Sequence, residues 1–273
     1  MLRSTKDLEH YAIGAIDGHI GHVRDFYFDD DAWVVRYLVV DTGPWLSGRK
    51  VLISPISVRE SIASERTLLV TLTREQVRNS PDVDTDKPVS SQYELEHVGY
   101  YGYQNYWGGR GMWGAGMYPF ALAPDFAGHG LDRARRAREE EAYARAEQAR
   151  HRNDDPHLRS CKEVVGYRIH AIDGEIGHVE GLLLDDETWA IRFVVVNTSN
   201  WWLGHKVLIA PQWITDVRWP DEIVSVDLTR ESVRAAPSYD STAELNLQQE
   251  SSLYEHYGRT AYWIDAAVLE RET

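Results

Sequence analysis

One cysteine, three methionines and no long apolar run set the first limits on this chain of 273 residues. A lone thiol, Cys161, can form neither an internal disulfide nor a multi-thiolate metal site. No stretch approaches the ~20 apolar residues that cross a bilayer. The amino-terminal MLRSTKDLEHYAIG lacks the apolar core of a signal peptide. The expectation is a cytoplasmic protein with no membrane insertion. Basic residues are in deficit too: 29 Lys and Arg face 43 Asp and Glu, for a formal charge of −14 and a pI near 5.2. Phosphate neutralisation supplies most nucleic-acid affinity, and no Lys/Arg-rich run is present, so nucleic acid is disfavoured as a partner. There is also no Gly-x-Ser-x-Gly elbow, P-loop, Rossmann glycine pattern or His-Glu-x-x-His pair. No catalytic residues, cofactor or metal are expected.

What the chain does have, it has twice. AIDGHIGHV at 15–23 returns as AIDGEIGHV at 171–179, an offset of 156 residues. The same offset, without a gap, pairs Trp33 with Trp189, Arg36 with Arg192, and Tyr106-Trp107 with Tyr262-Trp263. Solenoid units run to roughly 20–50 residues, and this repeat is about twice that, so a whole domain with its own core is duplicated.

Both copies carry the same local signals. Trp33, Val35, Tyr37 and Val39, like Trp189, Ile191, Phe193 and Val195, alternate with residues that include Arg36 and Arg192. A period of two with β-branched and aromatic side chains predicts a half-buried strand. Leu68, Val70 and Leu72, matched by Val224, Val226 and Leu228, predict another. Asp29–Asp31 and Asp185–Glu187 read as tight turns, as do Asp17-Gly18 and Asp173-Gly174. Val51–Pro55 and Val207–Pro211 read as strands stopped by proline. Thr73 and Thr229 are placed to cap short helices; Gln76 completes a capping box in the first copy, and Ser232 does not in the second. Short strands so closely spaced predict a mainly β protein of two small antiparallel barrels. Each copy ends in Tyr-Gly-x-x-x-Tyr-Trp, at 101–107 and 257–263, an aromatic clasp on the barrel.

The expected organisation is a first repeat with its extension at 1–107, a connecting segment at 108–160, and a second repeat at 161–273. Within the connection, 108–130 is rich in Gly and aromatics. Residues 131–152 are rich in Ala, Arg and Glu with opposite charges four apart, and carry no apolar stripe, which predicts an exposed helical spacer.

The run Ile16-Asp17-Gly18-His19-Ile20-Gly21-His22-Val23, the segment from Val40 to Leu52, and Lys87–Glu94 with the later Tyr-Gly and Tyr-Trp closely resemble the PRC-barrel family. The likeness covers about 11–107 and 167–263. It implies small β-barrels with short flanking helices, used chiefly as assembly or interaction modules. Family members include a domain of the photosynthetic reaction-centre H subunit and one of a ribosome maturation factor. The implied role is a non-enzymatic scaffold with protein partners and a capacity for homo-oligomers. Rivals are ribosome or RNA association, a small ligand in the barrel mouths, and attachment to a membrane complex through protein contacts.

Five residues stand out as candidate contacts. His22 and His178 occupy equivalent strand positions, but one His per repeat falls short of the three or four ligands a metal needs. Asp29–Asp31 fails as a calcium loop, because Val34 and Val40 stand where Gly and Glu are required. Trp45, Trp201 and Trp202 follow Asp41-Thr42-Gly43 and Asn197-Thr198-Ser199 in loops between strands. Tryptophans on rigid loops anchor binding hot spots, and the same residues folded inward would close the core; both readings stand at this point.

Overall fold

The computed structural model describes residues 1–82, 89, 91–107, 111–114, 116–124, 158–198, 205–243 and 245–264. The charged segment 131–152, and with it the expected spacer helix, lies outside the described residues, as do Trp201 and Trp202. The described chain is mainly β, with two sheets of seven strands and a few short helices. It divides into two compact units, one of Met1, Arg3–Glu163 and Leu184–Ile191, the other of Leu2, Val164–Leu183 and Arg192–Thr273.

The first sheet is built from β2 (Ala12–Ala15), β3 (Gly18–Asp29), β4 (Val34–Asp41), β5 (Lys50–Ile53), β6 (Val58–Ile62) and β7 (Thr67–Val70). Their order is β5-β4-β3-β2-β7-β6, and β8 (Leu158–Ser160) adds to β3. Pairings are antiparallel except β2 with β7, which run parallel from Ala12↔Thr67 to Gly14↔Leu69. The second sheet repeats the plan with β9 (Arg168–Ala171), β10 (Gly174–Asp185), β11 (Ile191–Asn197), β12 (Lys206–Ile209), β13 (Ile214–Arg218) and β14 (Ile223–Val226). Its order is β12-β11-β10-β9-β14-β13, with β1 (Leu2–Ser4) on β10. The tripeptide Leu-Arg-Ser, one repeat apart, thus supplies the extra strand of each sheet.

Neither order closes into the expected barrel: β5 and β6 stand at opposite ends of the first sheet, and β12 and β13 at opposite ends of the second. The reason lies in the residues between the end strands. Pro55–Ser57 and Pro211–Trp213 form 3-10 turns, and in the first the amide of Ser57 bonds the Ser54 carbonyl at 3.0 Å instead of a ladder partner. Proline has no amide to give to a sheet.

β4 departs from half-burial, since seven of its eight residues are buried. Its polar face is covered because Arg36, only 3% exposed, pairs with Asp29 at 3.1 Å and lies 4.1 Å from the centre of the Tyr106 ring and 4.8 Å from that of Trp113. In the second unit Arg192 lies 4.0 Å over Tyr262. The closing Tyr-Trp motif is therefore a lid on a buried arginine. Tyr106 also donates to Glu94 and Tyr262 to Glu250, the repeat-equivalent acid.

The first unit takes in residues from beyond the first repeat. Leu158 joins a core cluster with Tyr27, Tyr37, Val39, Leu52 and Val89. The turn at 185–190 pairs with the equivalent turn at 29–34: Val35 donates to the Trp189 carbonyl at 2.8 Å, and Ile191 to that of Trp33 at 2.7 Å. Val34 and Ala190 bridge at the middle. These two hydrogen bonds interchange under the repeat offset, which is the signature of an isologous contact.

Candidate functional site

The repeated Ala-Ile-Asp-Gly forms the β2–β3 turn, and each of its residues has a visible task. Gly18 at φ +139° and Gly174 at φ +136° adopt backbone closed to most side chains. Asp17 Oδ1 accepts from the amide of Arg74 at 2.8 Å, and Asp173 Oδ1 from that of Arg230 at 2.7 Å. Those amides open α2 (Arg74–Arg78) and its counterpart α5 (Arg230–Arg234), where a carboxylate also complements the helix dipole. Here α1 is Thr5–Leu8, α3 Ser91–Tyr101 and α4 Cys161–Val164, with α6 at Leu247–Tyr257. The amides of Ile16 and Ile172 bond the carbonyls of Leu72 and Leu228, both at 3.0 Å. Each turn is thereby fastened on two sides. What it holds out is a bare isoleucine: Ile16 is 69% exposed and Ile172 is 70% exposed.

Around Ile16 the first repeat gathers aromatic and cationic groups. Trp45, half-buried in the 3-10 turn Gly43–Leu46, donates its Nε1 proton to the Ile20 carbonyl. The Arg74 and Arg78 guanidinium carbons stand 4.5 and 5.8 Å from the Trp45 ring centre. His22 is exposed and meets His19 edge to face at 4.9 Å. Burial, then the neighbouring charges of His22 and Arg74, hold the His19 imidazole below its usual range. Trp45 and His22 are thus both tied to the first half of β3, Trp45 through the Ile20 carbonyl and His22 as a residue of the strand. In the second repeat His178 is half-buried, and Glu175, standing where His19 stands, lies 3.8 Å from His170.

Among the described residues one group of three metal-capable side chains comes together, Asp29, Asp30 and Asp31. Its charge is met internally, by Arg36 on Asp29 and Arg159 on Asp30 at 3.1 Å each. Sequence reasoning passed over Ile16, Ile172, Arg74 and Arg78. The readable signal was an isoleucine at a turn position in both copies, where turn chemistry favours polar residues.

A mainly β module whose rigid turns carry apolar tips is the class defined by this geometry. Residues 6–77 match the family model described as the PRC-barrel domain, so the first repeat carries a PRC-barrel domain. A search of the curated proteins found no match to this chain. No helix among the described residues is long and apolar enough to cross a membrane.

Proposed function

We propose that the chain is a non-enzymatic interaction scaffold, made of two PRC-type modules at 1–107 and 161–273 joined by 108–160. The observation that carries this reading is the pair of equivalent isoleucines, 69% and 70% exposed on turns fastened from both sides. Exposing a large aliphatic side chain forgoes roughly 1.5–3 kcal/mol of burial, which a partner covering it would recover. A preorganised turn also limits the ordering cost of association. The double variant Ile16→Ser/Ile172→Ser tests this. Partner recovery in a crosslinking pull-down from the native cells should fall at least tenfold, with a melting temperature within about 2 °C of wild type, since exposed positions contribute little to stability. Undiminished recovery by the double variant would refute the reading.

A further inference from the structure

Four groups beside the first tip point to what it takes. No hydrogen bond or ion pair engages the guanidinium of Arg74 or Arg78 among the described residues. Neighbouring basic residues are answered: Arg24 reaches Asp41 at 3.2 Å and Arg49 reaches Asp82 at 2.6 Å. The Asp17 carboxylate is turned to the Arg74 amide, and Glu75 beside it makes no ion pair with either guanidinium among the described residues. Two cations therefore lie without an ion pair beside an indole, on a chain of net charge −14. Arg74 also acts on His19 and packs along the turn that carries Ile16, 3.4 Å from where a Cβ on Gly18 would lie. A guanidinium whose face lies on an aromatic ring keeps its in-plane N–H donors, and that fork matches a carboxylate.

We infer that Ile16, Trp45, Arg74 and Arg78 form a docking site for an acidic segment of a protein partner. A carboxylate of the segment sits on the arginine pair and a neighbouring apolar side chain covers Ile16. This rests on the interaction-scaffold reading and adds the chemistry of the partner. Charge complementarity selects the anion, and the apolar tip separates a peptide from a polyphosphate, which has nothing to bury there. Long polyanions also feel the whole negative surface. A carboxylate in contact with Arg74 feels mainly its neighbours, because exposed charges are screened beyond about 8 Å at physiological salt.

The test is selection of phage-displayed random peptides on the full chain, followed by anisotropy titration of the enriched peptides. The expected result is enrichment of sequences with Asp or Glu beside a large apolar residue. Their affinity should fall at least tenfold for Ile16→Ser and for Arg74→Gln/Arg78→Gln, each variant keeping wild-type circular dichroism and melting temperature. Should Arg74→Gln/Arg78→Gln disturb folding, Arg78→Gln alone must still weaken binding severalfold. Enriched peptides without acidic residues, or with affinity indifferent to these changes, would overturn the site while leaving the scaffold reading in place. Failure to enrich any peptide would also overturn it; the scaffold reading itself falls on the pull-down outcomes, such as recovery of the bait alone or undiminished recovery by Ile16→Ser/Ile172→Ser. A labelled single-stranded oligonucleotide and phosphatidylserine vesicles are titrated in parallel; binding there that Arg74→Gln/Arg78→Gln abolishes would assign the arginines to phosphate and overturn the peptide.

Discussion

Gly21 shows how tightly single residues are fixed in the repeated motif. A Cβ built there would lie 2.1 Å from the carbonyl oxygen of Asp41, and one on Gly177 would lie 2.1 Å from that of Asn197. Backbone cannot step aside as a side-chain end can. Gly21→Ala is expected to cost about 3 kcal/mol or more, read from the urea midpoint of the whole chain. Gly48 is the control: its φ is +72° with nothing within 4 Å, so Gly48→Ala should cost only about 1 kcal/mol of backbone strain. Equal costs for the two would contradict the close approach. The sequence displayed both glycines alike, because which of them a neighbouring strand crowds depends on a pairing some twenty residues away.

At the scale of elements, α3 rests on the first sheet through a histidine. His97 is fully buried, with Nε2 3.1 Å from the Leu52 carbonyl and its ring 4.9 Å from Tyr37 and 4.8 Å from Tyr101. Tyr93 and Tyr103 complete the ring of aromatics, at 6.0 and 6.4 Å. Burial lowers its pKa from 6.5 to about 4, only partly offset by the Leu52 carbonyl. The unfolded chain thus takes up a proton near pH 6.5 that the folded chain refuses until about 4. Stability from this site is complete above 6.5 and is lost as pH falls towards 4, on the order of 3 kcal/mol in all. His97→Leu, which installs the residue found at the equivalent position 253, should lose that slope when melting is followed between pH 6.5 and 4, so that the slope appears in the difference between wild type and variant. A wild-type slope retained in the variant would show that His97 is not its source. Elements were the most legible scale: Thr73 and Gln76 form the capping box and Thr229 caps alone, as their side chains dictate. The burial of Arg36 was not legible, because the residues that cover it, Tyr106 and Trp113, come from seventy or more positions downstream.

On the scale of the whole molecule, duplication was plain in the sequence, whereas the interleaving of the repeats was not. The first unit is completed by residues 158–160 at the end of the connecting segment and by 161–163 and 184–191 of the second repeat. Val34 bridges Ala190, and Trp113 donates to the Thr188 carbonyl at 2.8 Å. A fragment ending at residue 124 would leave the Val34 edge open, and an open edge recruits another strand. Because Val34 and Ala190 are equivalent positions, that fragment is expected to dimerise through Val34 itself in sedimentation velocity. A stable monomer would contradict the isologous pairing. Closure of the sheets failed as an expectation because the turns at Pro55 and Pro211 were legible only as strand ends, not as the places where the two edges part.

The central claim is that this chain works by holding proteins together. Its most direct test is a mild-crosslinking pull-down of the tagged wild-type chain from its native cells, read by mass spectrometry at 50 and at about 500 mM salt, where phosphate-driven complexes dissociate. The account predicts one or a few protein partners retained at both salt concentrations. Ribosomal proteins released by salt, or recovery of the bait alone, would contradict it.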